Sequence, residues 1–278
     1  MRLRLEDVTA LLDEWYDPAW AAEWDAVGLV CGDTEAQVAK VLLAVDPAPA
    51  VVAEALEWGA DLVLCHHPLL LAPVHGVPAT TPKGRAVTDL VRAGVALLTA
   101  HTNADVPVDG VNDCLARALG VADPDVLLVE GPVGAREAGP ARGHGRIGRL
   151  ERPVPLRDFA ERVRAALPAT ASGVRVAGDP DRPVHTVAVG SGAGDFLLDR
   201  VLASDADVYV TSDLRHHRAG EFRDQDGPAL VDVAHWAAEW TWLPVVARKL
   251  TEAVAASGAT VETRVSVVVT DPWTFRVD

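Results

Sequence analysis

The stretch Asp61-Leu-Val-Leu-Cys-His66-His67-Pro68 is a short apolar run that ends in two histidines and a proline. Its apolar residues predict a buried strand, and Pro68 ends that strand because proline has no N–H to donate to a sheet. Proteins of the α/β class place their chemistry on loops at strand ends. Adjacent strand residues point to opposite faces, so the two histidines need an irregular turn to converge on one site.

Strands and helices alternate on both sides of this stretch. Such alternation is typical of α/β layers rather than of an all-β or helical-bundle fold. The apolar patterns, and the glycines and prolines that end them, predict strands over residues 41–45, 62–64 and 95–99, and helices over residues 6–15, 51–58, 83–93 and 112–119.

The second half of the chain repeats the first in outline. A repeat of this kind predicts two related α/β domains that arose by internal duplication, with a site in the cleft between them. The matching stretches keep their order and place histidines near corresponding ends: residues 41–46 and 186–191, 51–58 and 196–202, 61–67 and 207–217, and 94–101 and 227–235.

We expect a first domain over residues 1–128, with the His-His-Pro motif, and a second over residues 129–278, with a His-x-x-x-Glu motif. Residues 131–145 are rich in glycine and arginine, which is typical of a loop or linker. The sequence leaves open whether the C-terminal strand, residues 261–269, completes the second sheet or packs on the first domain.

Five side chains at strand ends and on one helix are candidate metal ligands. His235 and Glu239 lie four residues apart, which places them on one helix face. Imidazole and carboxylate groups bind borderline divalent ions such as Zn, Fe, Mn, Co or Ni. Five ligands suit two ions that share a bridging carboxylate and keep positions for water. The candidate set is His66, His67, Asp105, His235 and Glu239.

Each part of this set also has a plainer interpretation. A histidine pair at a strand end often serves packing, His235 and Glu239 could form a polar helix face, and Asp105 could cap a turn or helix. Their coincidence at repeated strand ends favours the metal site. The sequence assigns no clear role to His75, His101, His216 and His217.

The run Gly190-Ser-Gly-Ala-Gly194-Asp195 follows a strand and precedes a helix. Its amides could hold an anion. However, Asp195 replaces the last glycine of a dinucleotide fingerprint, and Val189 replaces the first glycine of a nucleophile elbow. We therefore expect a tight turn here.

Composition restricts the partners. The formal net charge of −15 disfavours nucleic acid as the main partner and leaves a small-molecule substrate. Three scattered cysteines without a Cys-x-x-Cys motif fit a reducing compartment. The sequence shows no signal peptide ahead of the first helix and no apolar run long enough to span a bilayer. We expect a cytoplasmic protein that does not bind membranes.

Six motifs resemble those of the GTP cyclohydrolase I type 2 homologue family, the Nif-three-like dinuclear metal-binding proteins. They cover nearly the whole chain in the order of the family: Trp24-Asp25-Ala-Val-Gly28-Leu, Asp61-Leu-Val-Leu-Cys-His66-His67-Pro68, Ala100-His101-Thr-Asn-Ala-Asp105, Gly110-Val-Asn112-Asp113, Gly190-Ser-Gly192-Ala-Gly194 and Asp232-Val-Ala-His235-Trp-Ala-Ala-Glu239.

The resemblance implies a two-domain α/β fold, a dinuclear site with the same five ligands, and a ring-like homohexamer. Some relatives carry an inserted domain that this chain lacks. The chain departs from the family pattern at Ala26, where asparagine is common, and at Thr211-Ser-Asp213, where relatives have Thr-Gly-Glu or Thr-Gly-Asp. These departures affect no proposed ligand.

The sequence therefore favours a dinuclear metal-dependent hydrolase. The family name implies ring opening of GTP, or of another nucleotide or heterocyclic metabolite, by a hydroxide generated at the metal. A metal-dependent phosphoesterase is the alternative within enzymes, since paired ions suit that reaction equally well. A non-enzymatic metal-binding or adaptor protein is the alternative outside them.

Overall fold

The computed structural model describes residues 3–129 and 142–277. They form two compact units, each with its own sheet. The first unit consists of Met1–Ala104 and Leu243–Thr270, and the second of Asp105–Trp242 and Asp271–Asp278. These units reflect packing and not ancestry, so the division into residues 1–128 and 129–278 stays a prediction.

The described residues include ten α-helices, two short 3-10 helices (Pro18–Trp20 and Asp195–Leu197) and eleven strands. None of the helices in residues 3–129 and 142–277 combines the length and the apolar character of a membrane-spanning segment. The helices are α1 (Leu5–Trp15), α2 (Pro49–Trp58), α3 (Pro82–Ala93), α4 (Thr102–Asp105), α5 (Val111–Ala118), α6 (Leu156–Ala166), α7 (Leu198–Leu202), α8 (His216–Arg223), α9 (His235–Trp240) and α10 (Leu243–Ala256). The strands are β1 (Gly28–Cys31), β2 (Lys40–Ala44), β3 (Leu62–Cys65), β4 (Ala96–Thr99), β5 (Ala122–Val129), β6 (Gly143–Pro155), β7 (Val174–Ala177), β8 (Pro183–Ala193), β9 (Val208–Ser212), β10 (Ala229–Val233) and β11 (Glu262–Val265).

The sheet of the first unit has the order β1-β4-β3-β2-β11. Strands β4, β3, β2 and β11 run parallel, and β1 pairs antiparallel with β4 at the edge. Every residue of β3 and β4 is buried, as expected for parallel strands that are covered on both faces. The C-terminal strand β11 pairs with β2, so it belongs to this sheet.

The sheet of the second unit has the order β5-β6-β8-β9-β10-β7. Its central strands β8, β9 and β10 are parallel, and β7 pairs antiparallel with β10 at one edge. Helices α5 and α9 pack against β8. Tyr209 and Phe222 are among the largest side chains of the buried core. Both units thus have the expected α/β class.

The two units share an internal pattern that supports the duplication. Asp61 precedes β3, and its carboxylate accepts hydrogen bonds from the amides of Ala39 and Lys40 at 2.7 and 2.8 Å. Asp207 precedes β9 and accepts from the amides of His185 and Thr186, both at 2.8 Å. Each aspartate therefore fixes the start of the neighbouring parallel strand in the same way.

This shared pattern corrects one detail of the predicted repeat. Counting without gaps from the two aspartates pairs His66 and His67 with Ser212 and Asp213, and not with His216 and His217. His216 and His217 begin α8 and are exposed. They therefore lie further from the end of β9 than His66 and His67 lie from the end of β3.

The predicted linker over residues 131–145 is only partly described. Residues 131–141 lie outside the described residues, whereas 143–145 already belong to β6. Gly143 donates its amide to the carbonyl of Val106 at 3.0 Å and is paired in register with Val129. These backbone contacts extend the strand into glycine-rich sequence that would favour a loop.

Candidate metal centre

His66 and His67 follow β3 directly and continue its pairing with the neighbouring chain. The amide of His66 donates to the carbonyl of Ala44 at 3.1 Å, and that of His67 to the carbonyl of Val45 at 2.8 Å. The two ring centroids lie 5.1 Å apart with the ring planes tilted by 42°. The histidine pair therefore presents two neighbouring imidazoles at the end of a buried strand.

His101 joins these two histidines at the end of β4. Its ring centroid lies 5.0 Å from that of His66 and 5.4 Å from that of His67. Each of the three residues offers a ligand atom, and these atoms lie within 4.8 Å of one another. The sequence assigned no role to His101, although it opens the same motif that ends in Asp105.

The histidines of the first unit share a hydrogen-bond pattern that fits metal ligation. Nδ1 of His66 donates to the carbonyl of Ala100 at 2.9 Å, and Nδ1 of His67 to Asp46 Oδ1 at 2.7 Å. Nδ1 of His101 donates to the carboxylate of Asp25 at 2.8 Å. A neutral imidazole that donates from Nδ1 carries its lone pair on Nε2, the form needed to bind a metal through Nε2.

Asp25 is the most deeply buried of the anchoring carboxylates. Its side chain is fully buried. Burial alone would raise the pKa of the carboxyl, but hydrogen bonds from His101 and from the hydroxyl and amide of Thr102 outweigh it and hold the pKa well below its usual range. The ionised carboxylate thus fixes the His101 ring in one orientation.

The second unit contributes His235 and Glu239, both on α9. His235 Nε2 lies 2.8 Å from Glu239 Oε1, so the four-residue spacing does place both side chains on one helix face. Nδ1 of His235 donates to Asp213 Oδ2 at 2.7 Å, which repeats the anchoring pattern of the first unit. The charge of the buried Glu239, with smaller help from Asp213 and against the effect of burial, raises the pKa of His235 to about 11.

Gly192 lies next to the His235–Glu239 pair. Gly192 has φ +67°, and a Cβ at this position would be 2.8 Å from Glu239 Oε1 and 3.2 Å from His235 Nε2. Residues 190–193 belong to β8, where the register with β9 shifts, so the predicted tight turn is instead a strand irregularity. The glycine run leaves room for the His235–Glu239 pair.

Asp105 is the last residue of α4 and is half-buried. Its carbonyl oxygen accepts a hydrogen bond from Asn112 Nδ2 at 3.1 Å. Among the described residues, Asp105 falls outside the close group formed by the three histidines of the first unit. Each unit therefore contains one group of possible metal donors. That all five predicted ligands form a single site remains a prediction.

Comparison with known proteins places the chain in a family. The family model for Duf34/NIF3 (NGG1p interacting factor 3) matches residues 3–272. The chain belongs to the Duf34/NIF3 family. A Streptomyces coelicolor protein named GTP cyclohydrolase 1 type 2 homolog is 45% identical over 276 residues, which cover 99% of this chain and 95% of the relative.

Other Duf34/NIF3 relatives agree with this assignment. The Mycobacterium tuberculosis protein of the same name is 38% identical over 98% of this chain and 97% of its own length. That alignment spans 373 positions, so the relative carries residues that this chain lacks. The solved structure of a Bacillus cereus protein related to NIF3 is 25% identical, with a TM-score of 0.90 over 99% of this chain and all of that one.

The remaining histidines of this Duf34/NIF3 chain do not join the donor groups. His75, His216 and His217 are exposed, and the half-buried His185 lies in β8. The ring of His144 packs against Phe196 with centroids 5.3 Å apart. Four of the nine histidines therefore share the Nδ1 anchoring that suits a divalent ion: His66, His67, His101 and His235.

Proposed function

We propose that the protein is a metal-dependent hydrolase that holds two divalent ions. The observation that carries the proposal is the repeated anchoring of histidine Nδ1 by an oxygen, which occurs at the two predicted strand-end histidines, at His101 and at His235. Carboxylate–histidine pairs of this kind orient metal ligands in proteins. The proposed ligands are His66, His67, Asp105, His235 and Glu239, with His101 as a further candidate.

The donor chemistry matches borderline ions such as Zn, Fe, Mn, Co or Ni. When bound, a pair of such ions lowers the pKa of a water and polarises a substrate oxygen. The chain's own residues have separate tasks. Asp46 and Asp213 hold the rings of His67 and His235. Glu239, which is 3% exposed, supplies a carboxylate shielded from water.

We propose a small molecule, a nucleotide or another heterocyclic metabolite, as the substrate. The name of the Streptomyces coelicolor relative, GTP cyclohydrolase 1 type 2 homolog, supports a purine nucleotide. The net charge of −15 supports a small substrate over a nucleic acid, since phosphate backbones are repelled along their length. Cytoplasmic location and a homohexameric state belong to the same proposal, and light scattering should then give six times the mass of the chain.

The reaction is tested by incubating metal-loaded protein with GTP and measuring formate and phosphate separately. Formate supports ring opening, and phosphate supports the phosphoesterase. Glu239→Gln should abolish the product, whereas Glu161→Gln, an exposed glutamate of α6, should leave it unchanged. Metal-loaded protein that turns over neither GTP nor a panel of phosphoesters would instead indicate a metal-binding protein without this activity.

A further inference from the structure

Asn112 joins two segments of the second unit that carry proposed ligands. The residue lies in α5 and is 4% exposed. Its Nδ2 donates to the carbonyl of Asp105 at 3.1 Å, and its Oδ1 accepts from the amide of Ser191 at 2.8 Å. One side-chain amide therefore bonds both the segment that ends in Asp105 and the glycine run of β8.

The glycine run carries this connection on to α9. Ser191 precedes Gly192, the glycine whose backbone lies against Glu239 and His235. The hydroxyl of Thr211 donates to the carbonyl of Gly192 at 3.2 Å, which holds the run from the side of β9. Asn112 thus lies between Asp105 and the backbone that supports the His235–Glu239 pair.

A buried ion pair fixes the position of Asn112 itself. The neighbouring Asp113 pairs with Arg146, and both side chains are at most 3% exposed. Arg146 also donates to the carbonyls of Val106 and Pro107 at 3.0 and 2.7 Å. These two residues follow Asp105 directly, so Arg146 holds the chain on the far side of that ligand.

Only an amide of this length suits both contacts of Asn112. One partner is a carbonyl oxygen that needs a donor, and the other is an N–H that needs an acceptor. An ionised aspartate lacks the donor, and leucine of similar shape lacks both groups. The motif Gly110-Val-Asn112-Asp113, which has no place among the metal ligands, thereby acquires a physical role.

We infer that Asn112 is a positioning residue that sets where Asp105 stands relative to His235 and Glu239, with Arg146 and Asp113 holding it in place. The inference rests on the proposed function, because it takes Asp105, His235 and Glu239 as metal ligands. Residues that orient ligands in this way typically change metal affinity by about 10–100-fold when they are replaced.

Metal affinity of Asn112→Leu tests the role directly. The full chain is titrated with Zn²⁺ or Mn²⁺ against a chromophoric chelator, and unfolding is followed on the same samples. Asp207→Ala is the matched control, since it removes two partly buried hydrogen bonds of the same unit away from the ligands. We expect about 10–100-fold weaker binding in Asn112→Leu and wild-type binding in Asp207→Ala, although both lose stability.

Hydrogen exchange of the metal-free protein tests whether Asn112 holds the Asp105 segment and the glycine run of β8 together. Asn112→Leu should raise exchange in both residues 103–110 and 188–194, whereas Asp207→Ala, whose contacts are with the amides of His185 and Thr186, should raise it in β8 without a matching local increase in residues 103–110. Wild-type metal affinity in Asn112→Leu would overturn the positioning role, and unchanged exchange in both segments would overturn the connection on which it rests. Asn112→Ser, whose hydroxyl is too short to reach both partners, serves the same tests if the leucine variant does not fold.

The metal titration and the hydrogen-exchange measurement together separate this inference from the proposed function. A wild-type chain that binds no metal contradicts the proposed function, and the exchange data then decide the connection on their own. A wild-type chain that binds metal, with an Asn112→Leu variant that binds it equally well, leaves the proposed function intact and overturns the positioning role.

Discussion

At the scale of single residues, aspartates from distant parts of the chain hold the rings of His67, His101 and His235 by accepting hydrogen bonds from Nδ1. His66, His67 and His235 stood out in the sequence because they end strands or share a helix face with a carboxylate. The anchoring aspartates lie 21 residues from His67, 76 from His101 and 22 from His235. No local pattern reports contacts at such separations, so His101 became a candidate only once Asp25 and the two neighbouring rings were located.

Replacement of one anchor should weaken metal binding without removing a ligand. Asp46→Ala takes away the acceptor of His67 Nδ1, and the ring then loses its fixed orientation. We expect metal affinity to fall by about 10–100-fold, measured by chelator competition. Asp46 also accepts from the Thr270 hydroxyl, so circular dichroism must show that the fold is intact. Wild-type affinity in a folded Asp46→Ala protein would argue against ligation by His67.

At the scale of elements, the glycine run shows where sequence patterns stop being informative. The run was expected to form a tight turn, since glycines between a strand and a helix often do. In the structure, residues 190–193 continue β8 through a shift of register. The cause is tertiary, because the absence of a Cβ at Gly192 makes room for Glu239 and His235 from another element.

Gly192→Ala should damage the candidate site specifically. The new Cβ would approach Glu239 Oε1 to 2.8 Å, so the carboxylate must move. Gly59→Ala is a matched control, because it has φ +71° and no atom within 4 Å of the added Cβ. Both variants should lose about 1 kcal/mol from backbone strain. Only Gly192→Ala should also lose metal affinity in a calorimetric titration, and equal affinity in the two variants would contradict this role.

Tyr209 provides a pH-dependent test of how β9 supports the glycine run, residues 190–194. Its hydroxyl donates to the carbonyl of Gly194 at 2.9 Å, and burial raises the pKa of the phenol well above its usual value. Tyr209→Phe should cost about 1 kcal/mol of unfolding free energy at pH 7.

That difference should shrink at high pH. A raised folded-state pKa gives stability that is complete below the unfolded pKa of about 10 and is lost as pH rises above it. The advantage of the wild type over Tyr209→Phe should therefore fall by about 1 kcal/mol between pH 10 and 11 in urea titrations. A constant difference over this range would mean that the phenol is not buried as described.

At the scale of the whole molecule, the sequence predicted the α/β class and the repeated order of strands. The central parallel strands were visible because they are apolar on both faces. The strand at the edge of the first sheet could not be assigned from the sequence, because β11 has an alternating burial pattern that fits the edge of either sheet. Its pairing with β2 depends on the path of the chain after α10, which no local pattern records.

The duplication predicts equal roles for Asp61 and Asp207. Each carboxylate accepts two backbone amides at the start of a buried parallel strand. Asp61→Ala and Asp207→Ala should each destabilise the chain by about 1–2 kcal/mol, since two backbone amides that are at most partly buried lose a charged acceptor. Thermal unfolding of both variants checks this, with the exposed Asp205→Ala as the control. A large loss for one variant and none for the other would contradict the structural equivalence.

The central claim is that the chain holds two divalent ions through its histidine and carboxylate side chains. The most direct measurement is the metal content per chain, by mass spectrometry of protein purified without chelators, for the wild type and Glu239→Gln. The proposal predicts about two ions per wild-type chain and a clear loss in Glu239→Gln, with Glu161→Gln unchanged. Fewer than about one ion per chain, unaffected by replacement of Glu239, would contradict it.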